Sequence, residues 1–134
     1  MSAISRRAAL GVLLAAAAAA AAACTPDHGD MTPGEAAVLT GGGSATRGRA
    51  AIQAHGCGSC HTIAGVPGAT AAVGPPLTRI AERAYVGGVI TNTPDNLVRW
   101  IRDPKAIDSL TAMPTLGVTE AEARDIAAYL YALR

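Results

Sequence analysis

The run Cys57-Gly58-Ser59-Cys60-His61 constrains this chain more than any other stretch of it. Two thiols three residues apart, followed at once by an imidazole, form a C-x-x-C-H pattern, the attachment signature of a c-type haem. The spacing has a chemical reason. Two such thiols reach the two vinyl groups on one edge of a porphyrin, and the adjacent histidine then points its ring at the iron from the proximal side. Three other readings compete. A thioredoxin-like redox pair belongs at the start of a helix after a strand, and no strand pattern precedes Cys57. A structural zinc site needs four ligands, and no second cysteine pair exists. A chance match leaves the composition unexplained: residues 46–134 contain no Phe and one Trp. Side chains alone would build a thin core there, and small domains so placed rely on a disulfide, a metal or a cofactor. One covalent haem c is therefore the expected cofactor.

The N-terminal third reads as targeting rather than fold. Arg6 and Arg7 precede an Ala/Leu/Val run over residues 8–23, ending in Ala21-Ala22-Ala23. This is the pattern of an export signal, here expected over residues 1–23. Helical, the 16 apolar residues would span about 24 Å, short of a bilayer core of roughly 30 Å, so cleavage is favoured over a permanent span. Ser5-Arg6-Arg7 faintly resembles a twin-arginine signal, but haem attachment follows export of an unfolded chain. Cys24, placed directly after the three alanines, resembles the lipidated cysteine of a bacterial lipoprotein, although Ala21 stands where leucine is usual. Lipidation would hang the protein from a membrane by acyl chains; ordinary cleavage nearby would leave Cys24 as an idle thiol. Residues 24–45, rich in Gly, Pro, Thr, Ser and Asp, have the composition of a flexible linker.

Residues 46–134 form the expected globular domain. Nine Lys/Arg against seven Asp/Glu give it a net charge of +2, which implies no nucleic-acid partner. No alternation of apolar and polar residues is long enough for a sheet, and four helices are predicted. The first covers residues 47–55, capped by Thr46 and closed by Gly56. The second covers residues 76–83, with proline in the first turn and Leu77, Ile80 and Ala81 on one side. The third is bounded by Thr93-Pro94 at its start and Pro104 beyond its end, with Leu97, Val98, Trp100 and Ile101 apolar. The fourth covers residues 120–133 and opens on a capping box of Thr119 and Glu122. The fold class expected is all-α, with long loops that carry Cys, His, Met and Pro.

Iron held by one histidine keeps an open face, so function turns on a sixth ligand. By residue type the candidates are Met31, His55 and Met113. Met31 lies in the linker, and His55 sits at a helix end two residues before the attachment run. Met113, followed by Pro114, stands in a long loop 52 residues after His61. A loop methionine is also a common core plug.

From Gly48 onward the sequence resembles the class I cytochrome c domain, a fold of about four helices wrapped around one covalent haem. Gly48, nine residues before Cys57, resembles the glycine that lets the first helix of that family cross the last. Gly74-Pro75-Pro76-Leu77 resembles its Gly-Pro-x-Leu segment, whose proline carbonyl accepts the proximal histidine N–H and raises its basicity as a ligand. Leu97-x-x-Trp100-Ile101-x-x-Pro104 followed by Met113-Pro114 resembles its third helix and ligand loop. The resemblance implies His61 and Met113 as axial ligands and places Pro75, Arg83 and Trp100 around the haem, Arg83 near a propionate. Arg83 is otherwise a solvated helix-end charge, and Trp100 a large core residue. Asn92-Thr93-Pro94-Asp95-Asn96-Leu97 and His61-Thr62-Ile63 are further similar to the cytochrome c domain fused to subunit II of caa-type haem-copper oxidases, without the copper-site sequence or membrane helices before it.

With both axial positions filled, substrate cannot reach the iron, and one-electron exchange through the haem edge is what remains. The expected protein is an exported electron carrier, not an enzyme, docking through the rim near Cys57, Gly58 and the Met113 loop. Its partner is a terminal oxidase or, alternatively, a periplasmic dehydrogenase for which it accepts electrons. A gas-binding or peroxidase-like protein would need an open sixth position, and no distal histidine, acid/base pair or output domain is legible. Localisation is expected at the periplasm or outer face of a bacterial membrane, through lipidated Cys24.

Overall fold

The computed structural model describes residues 31–133. The export signal expected over residues 1–23, Cys24 and the start of the linker lie outside the described residues. Five helices follow in chain order: α1 (Pro33–Leu39), α2 (Ala45–Ala54), α3 (Pro94–Arg102), α4 (Pro104–Ile107) and α5 (Glu120–Tyr131). Between α2 and α3 lie two short 3-10 turns, Cys57–Ser59 and Ile80–Glu82, and an antiparallel hairpin of β1 (Tyr85–Val86) and β2 (Ile90–Thr91). Among the described residues no helix is long and apolar enough to cross a membrane.

The organising contact is α2 on α5, with α1 and α3 also packed against α5. Alanines let these helices approach. Ala123, Ala127 and Ala128 are fully buried on α5, beside Ile126 and Leu130. At the crossing stands Gly48, where a Cβ would lie 2.0 Å from the Asp125 carbonyl oxygen. Only a residue without a side chain admits that approach. The crossing is also tied by charge: Arg47 donates through Nε and Nη2 to the two Asp125 oxygens at 2.7 Å each, and Ser44 N–H donates to Oδ1 at 2.7 Å. Burial pushes the Asp125 carboxyl up, but the Arg47 guanidinium and the Ser44 N–H outweigh it and hold it below the usual range.

Helices α3 and α5 form where the sequence predicts them. Thr93 Oγ1 accepts Asn96 N–H with Pro94 in the first turn, and Thr119 and Glu122 complete the capping box. Other expectations are corrected. The cap of α2 is Ser44 rather than Thr46, so the helix starts two residues early. Part of the expected linker is helix α1. Thr32 and Glu35 form a second capping box around Pro33, and the N–H groups of Gly41 and Gly42 close the helix on Val38 O and Ala37 O at 3.2 and 2.8 Å. Ala36 and Thr40 are buried, and Arg124 of α5 donates to Thr40 O at 3.2 Å.

The helix expected over residues 76–83 does not form, except for the Ile80–Glu82 turn. Leu77 N–H is drawn across to Thr62 O at 2.9 Å, and Arg79 sits in the left-handed region at φ +58°. The hairpin has no sequence signature, because strands of two residues carry no alternation.

Candidate functional site

After α2 the chain turns sharply. His61 N–H and Cys60 N–H both donate to Cys57 O, at 3.1 and 3.2 Å, and this turn gathers Cys57, Cys60 and His61. Both thiols are free. Cys57 packs against the apolar core, and that burial pushes its thiol up.

His61 is held from one side only. Its Nδ1 lies 2.7 Å from Pro75 O. A carbonyl can only accept, so Nδ1 carries the proton, and in the neutral ring the lone pair then falls on Nε2. Gly74 makes this possible: a Cβ there would meet His61 Cε1 at 2.4 Å and Nδ1 at 2.7 Å. Gly74 N–H donates to Cys60 O at 2.7 Å, clasping the two segments together. The loop after His61 is anchored to the helices as well, by Tyr129 Oη on Ala64 O at 2.7 Å and Arg49 Nε on Gly65 O at 2.6 Å.

His61 and Met113 line the same cavity, of about 360 Å³. Its walls are chiefly apolar, with Leu77, Ile80, Val86, Leu97, Trp100 and Leu130 among them. The Met113 loop is fixed at both ends. Lys105 Nζ donates to Thr111 O at 2.9 Å, and Thr115 Oγ1 to Asp103 Oδ1 at 2.9 Å; Asp103 also caps α4, whose first residue, Pro104, is fully buried.

The other sequence candidates divide cleanly. Pro75, Arg83 and Trp100 are at the cavity, with Trp100 almost wholly buried. Arg83 Nη2 donates to Pro76 O and to Thr78 O, the latter at 3.3 Å. Those carbonyls would have been satisfied by Ile80 and Glu82 N–H in the expected helix. Cys57 and Cys60 share the His61 turn but are not among the residues that line the cavity. Met31 lines a separate surface hollow with Val38 and Leu39, and His55 Nε2 is buried 3.3 Å from Glu122 Oε1. Neither reaches the cavity. Sequence reasoning missed the wall formed by residues 85–88 and its support by Asn92, for which no local pattern exists.

An imidazole and a thioether on one apolar cavity, with two thiols on the turn that carries the imidazole, are a donor set that fits a covalent haem. A cytochrome c family model matches residues 45–134. The chain belongs to the cytochrome c family. It is also 34% identical over 91 residues to cytochrome c oxidase subunit 2 of Alkalihalophilus pseudofirmus, a match covering 67% of this chain and 26% of that relative. The chain thus spans about a quarter of the length of that oxidase subunit. No solved structure matches it. Membership of the cytochrome c family implies covalent haem c and a role in electron transfer, and the mostly helical architecture agrees with the class I fold.

Proposed function

We propose that this c-type cytochrome binds one haem, through thioether bonds from Cys57 and Cys60, with His61 and Met113 as axial ligands, and carries single electrons. The observation that carries the reading is the pairing of His61 and Met113 on one apolar cavity, with His61 Nδ1 engaged by Pro75 O. Haem bound there supplies a one-electron iron couple. The chain's residues do the rest. Pro75 O keeps the His61 proton on Nδ1 and leaves Nε2 to donate electrons. Met113 would hold the iron through its sulfur, and a thioether paired with imidazole would raise the potential relative to stronger donor pairs. Trp100, Leu97 and Leu130 exclude water, and the Arg83 guanidinium supplies positive charge at the cavity for a propionate. Thioether attachment keeps the haem from being lost outside the cell.

The likeness to an oxidase subunit favours a terminal oxidase as electron acceptor. We place the protein at the outer face of a bacterial membrane, held by acyl chains on Cys24. Mass spectrometry of denatured protein from a host that matures c-type cytochromes tests the first point: one haem is expected to stay attached. An apoprotein mass refutes it. Reduced protein exposed to carbon monoxide tests the second, since a closed sixth position leaves the spectrum unchanged. Stopped-flow mixing with purified terminal oxidase tests the partner, and failure to oxidise the reduced cytochrome would refute it.

A further inference from the structure

Asn92 stands between β2 and α3, outside the cavity, yet every polar atom of its side chain is engaged. Its Nδ2 donates to Ile80 O at 2.7 Å and Arg83 O at 2.9 Å, the two ends of the 3-10 turn. Its Oδ1 accepts the Tyr131 hydroxyl of α5 at 2.9 Å, and its backbone N–H donates to Ala84 O at 2.9 Å. Two carbonyls can only accept, so the amide has one orientation that satisfies all partners. Burial pushes Tyr131 up to about 12, so its hydroxyl remains a donor throughout the physiological range.

These bonds join one stretch of cavity wall to the helix that organises the fold. Ile80, Arg83, Tyr85, Val86 and Gly87 all line the cavity, and none of that stretch is α-helical. Its own backbone bonds are short-range, a single 3-10 turn and the two-residue pairing of β1 with β2, and do not tie it to the helices. The far end rests on Trp100: a Cβ on Gly87 would be 2.3 Å from Trp100 Cη2. We infer that Asn92 is a positioning residue, clamping the wall of residues 80–87 against α5 and Trp100 so that the iron site stays closed to water. The inference rests on the proposed haem site but concerns a residue that touches no ligand. A clamp of this kind acts on the reduction potential, because water admitted beside the iron favours the more highly charged oxidised state.

Asn92→Asp tests it with shape retained, since a carboxylate cannot donate to Ile80 O and Arg83 O. Tyr131→Phe removes one bond only. In Asn92→Asp holoprotein, amide exchange at Glu82 and Arg83 should speed by roughly thirtyfold, the effect of losing two hydrogen bonds, relative to amides of α2 and α5. Imidazole should displace the Met113 sulfur with a similar gain in affinity, and the potential should fall. Tyr131→Phe should move all three readouts in the same direction by less. A variant that is merely less stable, with potential, imidazole affinity and relative exchange at parental values, overturns the clamp. Should Met113→Ala bind imidazole no better than the parent, the ligand assignment fails instead, and relative exchange at Glu82 and Arg83 still decides for or against the clamp.

Discussion

Replacing Gly48 by alanine sets two effects of opposite sign against each other. In an exposed helix interior the change is favourable by about 1 kcal/mol, because glycine is the poorer helix former. At Gly48 the new Cβ would stand 2.0 Å from Asp125 O and 2.5 Å from Asp125 C. Unstrained contact needs about 3.5 Å, so α2 and α5 would have to separate by roughly 1.5 Å. Both atoms are helix backbone and cannot swing aside. A gap of even 0.5–1 Å forfeits about a quarter to a half of each facing contact, and the interface holds Ile52 and Ala127 at 1% and 0% exposure. It also holds the Arg47–Asp125 pair, which the same movement would stretch. Overpacking of this kind costs about 1–3 kcal/mol before those losses. The net expectation is destabilisation by about 2 kcal/mol or more, a fall in Tm of order 10 °C for a domain of this size. Thermal and urea unfolding of parent and Gly48→Ala holoproteins measure it. An unchanged or raised midpoint would mean that the helix-propensity gain prevails and that the crossing is not limited by contact at Gly48.

Three further outcomes are expected. Met113→Ala should retain covalent haem, lose the weak sulfur-to-iron band of the oxidised protein, admit carbon monoxide and lower the potential; an unaltered band and potential would exclude Met113 as ligand. Stability should be greatest above about pH 5 and decline towards pH 2, because Glu122 is held down to about 2, first by the Thr119 hydroxyl and N–H and then by His55, and Asp125 is also depressed. Depressed carboxylates stabilise the fold above their unfolded values and lose that contribution as pH falls through the folded ones; a urea midpoint constant from pH 5 to 2 contradicts this. Cys24→Ser should move the protein from membranes to the soluble fraction, and unchanged partitioning with no acyl mass would reject lipidation.

The parts legible in the sequence are those determined within one turn of chain. Thr93-Pro94-Asp95 and Thr119-x-x-Glu122 begin helices by local hydrogen bonds, and both helices start as predicted. Thr32-Pro33-Gly34-Glu35 carries the same signals, but they are masked by the proline and glycines around them, which have the composition of a linker. Its stability comes from α5, through Ala36 and the Arg124 bond to Thr40, and composition does not reveal a docking partner. At the site, the resemblance to cytochrome c implies a bond between His61 and the Pro75 carbonyl, and the two atoms lie 2.7 Å apart. The cavity walls were not legible, since Ile80, Val86 and Leu130 meet only through tertiary contacts.

The failed helix over residues 76–83 is itself informative about how the site works. In an α-helix Pro76 O and Thr78 O would accept from Ile80 and Glu82 N–H, and no side chain could use them. Without the helix they accept from Arg83, Pro75 O just upstream accepts from His61, and Ile80 O and Arg83 O accept from Asn92. Five backbone carbonyls thus orient three side chains at or behind the cavity. A left-handed Arg79 keeps the segment irregular, at a cost in local stability that Asn92, tied to α5 through Tyr131, offsets. Helical periodicity in residues 77–81 points to a structure whose hydrogen bonds would have been internal; the site requires them to be external, and the chain follows the site.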